Sequence, residues 1–485
     1  MNQSKINQPC PSTSPRSKPI PVRNPRSGEF DYQILAPTPE QLSVTCDRLR
    51  QHQPTWQAKG VTHRIDVLQA WKQALLERKT ALVAALTTDT GRVSESVLEV
   101  DSVLSGIDRW CRLASELLAE ANPKTAAIPF IDIQSQSVPY PLVGVISPWN
   151  FPLLLSTIDT IPALLAGCAV VVKPSEITPR FIEPLMDAIA AVPDLQTILT
   201  YLPGAKDTGA AVVDAIDLVC FTGSVATGKC VAQAAANNMI PAFLELGGKD
   251  PAIVLASADL DLTTTSLLWG SMVNAGQSCL SIERIYVAER IYQPFVETLA
   301  QKAKQLKLAY PEPNSGQIGP IIFTQQAGLI TEHLEDAIAK GAKIHCGGQV
   351  ETLGGGQWCR PTVLTQVNHT MKIMTEETFG PIMPVMPFTT PEEAVTLAND
   401  TVYGLSGAVF AGTVAEAQTV GQQIDAGAIS INDAGLTALI HEGEKNAFRA
   451  SGLGGSRMGP AALKRFMRKK VFLTKTNLAP DPWWF

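Results

Sequence analysis

The chain has 485 residues, of which 45% are hydrophobic and 17% charged, so it can form two or three packed domains and is not a disordered polypeptide. Its net charge of -6 argues against nucleic acid as the main partner. Nine cysteines without paired spacing favour a reduced compartment, which predicts a cytoplasmic protein, and the scattered histidines predict no metal site. The chain also has no run of about 18 apolar residues, so no membrane-spanning helix is predicted.

The N-terminal part begins with a tail and continues with helices. Residues 1–21 are rich in Pro, Ser and Asn and lack a long apolar segment, which predicts a disordered tail and not a secretory signal. Helices are predicted from Pro39 onward and between Arg64 and Leu86, where apolar residues recur at helical spacing. Partial alternation in residues 127–142 predicts an exposed strand or hairpin.

From residue 143 onward, predicted strands alternate with predicted helices. Residues 143–146, Ala169–Lys173 and Leu218–Thr222 are short apolar segments of the kind found in parallel sheets. Residues 151–167 are predicted to form one helix that bends at Pro162. The predicted fold class is therefore α/β, with a doubly wound, Rossmann-like cofactor domain built from residues 22–126 and 143–246.

The C-terminal half contains a second predicted α/β domain, residues 247–440. A strand is predicted at 284–287 and a charged helix at about 292–308. The strand predicted at 470–474 has no partner nearby in the sequence. We expect 127–142 and 460–485 to be small β oligomerisation segments that pair across subunits, which favours a homodimer or homotetramer.

A dinucleotide could bind after the predicted strand Ala169–Lys173, although no Gly-x-Gly-x-x-Gly fingerprint follows any strand. Glu176 lies just past the strand that ends at Lys173. A carboxylate there can accept hydrogen bonds from ribose hydroxyls and would repel a 2′-phosphate, which favours NAD while leaving NADP possible. The alternative is an ordinary surface loop that starts the next helix.

Residues 223–230 nearly match a phosphate-binding P-loop. The last position, which normally carries Ser or Thr to ligate magnesium, is Cys230, a poor ligand for that hard ion. A helix N-terminus here still suits a pyrophosphate without metal. The alternatives are a Gly-rich structural turn and a P-loop nucleotide hydrolase.

Four side chains supply the clearest chemistry: Cys279, Glu245, Glu377 and Asn150. Each has an ordinary interpretation when taken alone, as a core thiol, a cap or a charge on a solvated face. Together they supply a nucleophile, a candidate base, a second acid and a candidate oxyanion donor. Covalent chemistry at a carbonyl needs that set.

Seven strings that include these residues resemble motifs of the aldehyde dehydrogenase superfamily, in the same order and at similar spacing. They lie at 148–152, 173–176, 221–228, 244–249, 276–279, 376–381 and 399–404, and the resemblance covers about residues 22–475. One string departs: 447–452 reads Ala-Phe-Arg-Ala-Ser-Gly, where the family usually has Pro-Phe-Gly-Gly before a Lys and Ser-Gly. This departure bears on which aldehyde is the substrate and not on the type of reaction.

The resemblance implies that Cys279 is the nucleophile, that Asn150 and the Cys279 N–H form the oxyanion hole, and that Glu245 activates the deacylating water. It implies cofactor contacts at Ile146, Pro148, Trp149, Lys173, Ser175, Glu176, Gly204, Phe221, Thr222, Gly223, Ser224, Glu245, Leu246, Gly247, Glu377 and Phe379. It implies a substrate tunnel at Phe151, Leu155, Ile158, Ser278, Leu280 and Phe448.

The tunnel segments are apolar, which predicts an apolar aldehyde such as an aromatic, aliphatic or apocarotenoid aldehyde as the substrate. Arg449 and His441 are nearby charges that could overturn that prediction. Two further hypotheses stay open. A coenzyme A-acylating dehydrogenase is disfavoured by Glu245, which such relatives usually lack, and a catalytically silent binding protein is disfavoured because the full catalytic set is present.

Overall fold

The computed structural model describes residues 19–120, 122–128 and 130–477. Within these ranges, no helix is both long and apolar enough to cross a membrane. The eight cysteines in these ranges are all free thiols.

Residues 19–246 carry the first group of elements. The strands are β1 (Pro19–Arg23), β2 (Phe30–Leu35), β3 (Lys124–Thr125), β4 (Ile131–Pro139), β5 (Leu142–Ile146), β6 (Ala169–Lys173), β7 (Leu199–Tyr201), β8 (Leu218–Thr222) and β9 (Ala242–Glu245). The helices are α1 (Pro39–Ala58), α2 (Gly60–Glu77), α3 (Lys79–Thr90), α4 (Ser94–Leu117), α5 (Pro152–Thr157), α6 (Thr160–Ala166), α7 (Ile182–Ala190), α8 (Pro193–Ile198), α9 (Lys206–Ala215) and α10 (Val225–Asn237).

Residues 247–477 carry the second group. The strands are β10 (Asp250–Val254), β11 (Ile282–Ala288), β12 (Lys343–Cys346), β13 (Val350–Leu353), β14 (Gly356–Cys359), β15 (Thr362–Thr365), β16 (Ile382–Phe388), β17 (Ser406–Phe410), β18 (Ala428–Ile431), β19 (Gly452–Leu453) and β20 (Met467–Lys475). The helices are α11 (Leu260–Met272), α12 (Glu289–Gln305), α13 (Thr324–Ala339), α14 (Lys372–Thr375), α15 (Pro391–Asn399), α16 (Val414–Gly421), α17 (Leu436–Leu439) and α18 (Ala461–Lys464), with 3₁₀ turns at Val273–Gly276 and Arg449–Ser451.

The first sheet confirms the predicted doubly wound α/β fold. Its strand order is β19-β9-β8-β5-β6-β7, with β5 to β9 parallel and only β19 antiparallel. The valines of β6 are fully buried because the sheet is covered on both faces. The chain runs outward from β5 to β7 and then returns to β8, so the order reverses between β5 and β8. Open α/β sheets bind ligands at such a reversal, beyond the carboxyl ends of the strands.

The second sheet has the order β12-β15-β16-β11-β10-β17-β18 and is parallel except for β12. Two hydrophobic clusters cover its faces, and both draw on residues 252–434. A third cluster, from residues 42–246 together with Ala462, Leu463 and Phe466, fills the first unit. These clusters support the domain division that we propose near residue 247, but they place residues 462–466 in the core of the first unit and not in a separate oligomerisation segment.

The C-terminal strand has a partner within its own chain. β20 pairs antiparallel with β4 over nine residues, from Met467 with Pro139 to Lys475 with Ile131, and β3 adds the third strand. The prediction that this strand has no partner nearby in the sequence is therefore confirmed. Its partner lies in the predicted 127–142 segment, more than 300 residues upstream, and pairing of these segments across subunits stays a prediction. Assembly into a dimer or tetramer stays a prediction.

Two local expectations also need correction. Residues 19–21 belong to β1, which pairs with β2, so the predicted disordered tail extends too far; residues 1–18 lie outside the described part. The single helix predicted at 151–167 is two helices, α5 and α6. Asp159 lies between them, and its carboxylate faces Arg457 at 2.8 Å and also bonds Arg465. Pro162 stands in the first turn of α6, where its missing N–H leaves no helical hydrogen bond unmade.

Candidate active site

The carboxyl ends of four parallel strands meet at one edge of the first sheet. Ile146 of β5 is in register with Lys173 of β6 and with Phe221 of β8, and Thr222 of β8 is in register with Glu245 of β9. The predicted motifs follow directly after these ends, so their residues come together although they are far apart in the sequence.

The cysteine loop is held in a rarely adopted conformation. Asn274, Ala275 and Gly276 all have positive φ, at 56°, 53° and 71°. A Cβ at Gly276 would lie 2.2 Å from the Gly380 carbonyl oxygen, so only glycine permits this close approach. The loop that carries Cys279 thereby packs directly on the loop that carries Glu377.

A cavity of about 120 Å³ lies where these loops meet the first sheet. Most of its wall consists of residues predicted from the motifs. They are Pro148, Trp149, Asn150, Leu155, Thr222, Gly223, Ser224, Leu246, Gly247, Cys279, Glu377 and Phe379. Gln326, which no motif marked, completes the wall and donates a 2.6 Å hydrogen bond to the Thr378 carbonyl oxygen.

Glu377 is a half-buried carboxyl that is fixed by its neighbours. Its Oε1 accepts a 3.0 Å hydrogen bond from the Gly248 N–H. Glu283 accepts hydrogen bonds from the N–H groups of Thr378 and Phe379 and forms a 2.6 Å ion pair with Lys249. Burial and the nearby Glu283 carboxylate raise the pKa of Glu377 to about 8, so this carboxyl is mostly protonated at neutral pH in the cofactor-free protein.

Asn150 is 3% exposed and sits at the cavity wall. Its Nδ2 donates a 3.0 Å hydrogen bond to the Gln277 carbonyl oxygen in the cysteine loop. One of its two N–H bonds is thus used to fix the amide, and the other is available for a ligand.

Cys279 is half-buried, and negative charge surrounds it. Burial and then the carboxylates of Glu377, Glu245 and Asp250 raise the pKa of the Cys279 thiol to about 12. Glu245 ends β9 and acts on the thiol electrostatically, although its side chain is not part of the cavity wall. The thiol is therefore protonated at neutral pH in the cofactor-free protein.

We expect alkylation of Cys279 by iodoacetamide to rise about tenfold per pH unit between pH 7 and 9, since only the thiolate reacts. Peptide mass spectrometry of the cofactor-free protein measures this rate, and the exposed Cys230 in the same digest controls for the reagent. A plateau below pH 9 would show that the site stabilises the thiolate.

The cavity suits the nicotinamide end of a dinucleotide. Trp149 and Phe379 provide flat apolar surfaces, with their ring centroids 5.5 Å apart, and the Glu377 carboxyl can bond ribose hydroxyls. A Cβ at Gly247 would lie 2.5 Å from Glu377 Oε2, so glycine leaves room for the Glu377 carboxyl at the cavity wall. The residues present therefore fit the predicted cofactor.

The predicted adenosine-side residues lie beyond this cavity, at the same sheet edge. Lys173 Nζ is 2.9 Å from Glu176 Oε2, and the glutamate side chain is 32% exposed. Ser175 accepts a hydrogen bond from Ile177 N, and Gly204 packs closely against Thr208. The exposed Glu176 carboxylate can accept ribose hydroxyls, although such exposure is also expected of a surface loop.

Besides the four adenosine-side residues, three predicted cofactor residues do not present side chains to the cavity. Ile146 and Phe221 are buried within the sheet, 9% and 4% exposed, so only their backbones can face a ligand. The Glu245 side chain, as noted above, is also not part of the cavity wall.

Residues 223–230 do not form a P-loop. α10 begins at Val225, directly after Ser224, whose hydroxyl accepts a 3.3 Å hydrogen bond from Thr227 N and caps the helix. The residues that would wrap a phosphate are instead the first helical turn. Gly228 serves helix–strand packing, because a Cβ there would lie 2.4 Å from a Leu246 methyl. The structure therefore argues against the nucleotide hydrolase.

Of the predicted tunnel residues, only Leu155 lies on the cavity wall. The others are not part of the wall: Phe151, Ile158, Ser278 and Leu280 are half-buried and Phe448 is 40% exposed. Arg449 forms a 2.6 Å ion pair with Asp425 and bonds two backbone oxygens. Burial lowers the pKa of His441 to about 4, so that side chain is neutral at pH 7.

A thiol, a side-chain amide and a carboxyl thus meet at the ligand edge of a dinucleotide-type sheet, which defines an oxidoreductase that combines a cysteine with a nicotinamide cofactor. The aldehyde dehydrogenase family model matches residues 12–472, and the chain belongs to that family. Its activity is NAD(P)-dependent oxidation of an aldehyde.

Three similar proteins agree with this assignment. PutA of Anabaena variabilis, a proposed aldehyde dehydrogenase, is 64% identical with a TM-score of 0.95, over 96% of this chain and 100% of that one. Betaine aldehyde dehydrogenase of Staphylococcus aureus, solved in complex with NAD+, is 31% identical with a TM-score of 0.90, over 96% and 93%. The 4,4'-diapolycopene aldehyde oxidase of a Methylomonas species is 36% identical, over 96% and 88%. The predicted family and fold are confirmed.

Proposed function

We propose that the protein oxidises an apolar aldehyde to its carboxylic acid through a thioester on Cys279, with NAD as the preferred cofactor. The convergence of Cys279, Asn150 and Glu377 on one cavity at the ligand edge of the sheet supports this function most strongly.

The chemistry follows from the groups around the thiol. The Cys279 thiol gives its proton to solvent water and the thiolate attacks the aldehyde carbon. The C=O π electrons move onto the oxygen, and Asn150 Nδ2–H and the Cys279 backbone N–H stabilise the resulting oxyanion. NAD, when held against Trp149, Glu377 and Phe379, would supply the acceptor for the hydride lost from the carbon bonded to Cys279, and that loss leaves a thioester on the sulfur. Glu245 then takes a proton from water, which attacks the thioester, releases the carboxylic acid and restores the thiol.

The Glu176 carboxylate supports the preference for NAD, because a 2′-phosphate beside it would be repelled. We expect Glu176→Ala to lower the ratio of kcat/KM for NAD to that for NADP by about tenfold, the effect of removing one like-charge contact of roughly 1.4 kcal/mol. Initial rates with both cofactors measure the ratio, and Glu183→Ala on α7 is a control. An unchanged ratio would remove the argument from Glu176.

Apolar side chains support the assignment of the substrate class. The two segments that the family resemblance assigns to the substrate tunnel are apolar. The α5 segment offers the half-buried Phe151, Leu154 and Leu155, of which Leu155 lines the cavity with Cys279, and the α17 segment offers the exposed Leu436, Leu439 and Ile440. Two charged groups could oppose an apolar aldehyde. Arg449 is paired with the Asp425 carboxylate, and the lowered pKa of His441 leaves that side chain neutral. The Methylomonas relative is named for an aldehyde of a long apolar polyene, which is the same chemical class.

Lys445 favours a second candidate, an aldehyde with a carboxylate tail. Sequence reasoning missed this half-buried lysine, which is in electrostatic range of Cys279 and Glu245. Its Nζ donates a 2.7 Å hydrogen bond to the Thr437 carbonyl oxygen, and the Glu245 and Asp250 carboxylates balance its charge. Because that charge is already compensated, we favour the apolar aldehyde.

The two candidates differ in a simple rate comparison. With NAD and without coenzyme A, we expect kcat/KM for hexanal or benzaldehyde to exceed that for succinic semialdehyde by about tenfold or more, since the semialdehyde must bury a charge. Lys445→Met should leave the apolar rates within about threefold. A preference for succinic semialdehyde that Lys445→Met abolishes would establish the second candidate.

A further inference from the structure

Three charged residues lie buried beneath the oxyanion amide, and we call them the buried charge cluster: Arg92, Glu95 and Glu99. They are 3%, 8% and 0% exposed. Glu95 and Glu99 are four residues apart on α4 and so share one helix face, while Arg92 precedes the helix. Neither the motifs nor the chemistry proposed above accounts for them.

The cluster fixes the backbone at Asn150. Arg92 Nη2 donates a 2.5 Å hydrogen bond to the Asn150 carbonyl oxygen and lies 3.3 Å from Glu99 Oε1. Glu99 Oε2 accepts hydrogen bonds from the N–H groups of Leu153 and Leu154, at 3.0 and 3.1 Å, in the first turn of α5. The chain is therefore held on both sides of the Asn150 side chain.

The same cluster fixes the cysteine loop. Glu95 Oε1 accepts a 3.1 Å hydrogen bond from the N–H of Asn274, the first left-handed residue of that loop. Asn274 Nδ2 in turn donates to the Asn150 carbonyl oxygen and to the Gln277 carbonyl oxygen, both at 2.9 Å. The two groups assigned to the oxyanion hole, Asn150 Nδ2 and the Cys279 N–H, thus lie on two segments that one cluster holds together.

The buried charge cluster is unfavourable for the free energy of folding. Buried ion pairs gain little net stability, and an apolar cluster of similar volume is often as good. Among the described residues, the Arg92 Nε and Nη1 atoms have no hydrogen-bond partner, which adds to the cost. Stability alone therefore does not explain the cluster, whereas precise placement of two donors does.

We propose that Arg92, Glu95 and Glu99 are positioning residues for the oxyanion hole, because they set the separation and orientation of the Asn150 amide and the cysteine loop. The inference rests on the proposed roles of Asn150 and Cys279.

Arg92→Met and Glu99→Gln test it in the full-length protein. We expect either change to lower kcat for aldehyde oxidation by about 10- to 100-fold, the effect of displacing one preorganised donor. The NAD dissociation constant and the rate of Cys279 alkylation by iodoacetamide should stay within about twofold, because alkylation forms no oxyanion. Asp217→Asn is the control, since it breaks the Arg50–Asp217 pair at the opposite edge of the same sheet and should leave kcat unchanged.

A double-mutant comparison separates positioning from general damage. Asn150→Ala alone should lower kcat about 100-fold or more, and Arg92→Met should then cost less than about twofold more, because the group it positions is gone. The positioning role would be overturned if Arg92→Met lowered kcat by the same factor with and without Asn150→Ala. It would also be overturned if Arg92→Met lowered aldehyde oxidation and Cys279 alkylation equally. If Arg92→Met does not fold, the near-isosteric Glu99→Gln carries the same comparison. An Asn150→Ala variant with normal kcat would instead refute the oxyanion assignment in the proposed function.

Discussion

Cys279→Ser should lower kcat for aldehyde oxidation by at least about 10³-fold, because a serine hydroxyl is a far weaker nucleophile than a thiolate at neutral pH. The thiol needs its intrinsic reactivity at this site, where burial and three carboxylates raise its pKa to about 12. The free energy of unfolding should change by less than about 1 kcal/mol, since the substitution is nearly isosteric and the side chain is only half-buried.

NADH formation followed by absorbance measures the loss, and denaturant unfolding measures the stability. Cys230→Ser is the matched control, because that thiol is exposed on α10 and outside the cavity. Retention of more than about a tenth of the activity by Cys279→Ser would refute the nucleophile assignment.

Glu245→Gln should separate acylation from hydrolysis. We expect a burst of about one NADH per site followed by a steady-state rate at least about 100-fold lower, because the amide cannot take a proton from the deacylating water. Removal of the Glu245 charge also lowers the pKa of Cys279, so the burst itself should not slow. Stopped-flow absorbance measures the burst, and intact-protein mass spectrometry should find an acyl adduct on Cys279.

Glu377→Gln provides the contrast for this experiment. Glu377 borders the predicted nicotinamide site, so its loss should slow the burst and leave no accumulated adduct. A Glu245→Gln variant with neither burst nor adduct would mean that Glu245 acts before hydride transfer.

Local pattern was enough for the sheet of the first domain, whereas the site was predicted mainly from the family resemblance. The β6 segment is apolar and β-branched throughout, which identifies a strand buried on both faces. The motifs follow strand ends, and parallel strands bring those ends together. The individual residues of the cavity wall, except Gln326, were predicted from the resemblance of these motifs to the aldehyde dehydrogenase family.

Contacts between distant parts of the chain account for what the sequence did not reveal. The partners of the Asp159 carboxylate, Arg457 and Arg465, lie about 300 residues downstream, and the partner of β20 lies more than 300 residues upstream. Glu283 and Gln326 lie in no recognisable string, although the fold brings both to the Thr378 backbone. Such pairings are set by the tertiary packing of segments whose own patterns are unremarkable.

The most direct test of hydrolytic aldehyde oxidation is the product balance of the wild-type protein with NAD and an apolar aldehyde such as hexanal, without coenzyme A. NADH by absorbance and hexanoic acid by chromatography should form in a one-to-one ratio over many turnovers. NADH that appears only after coenzyme A is added, with an acyl-coenzyme A as the product, would contradict the hydrolytic role of Glu245.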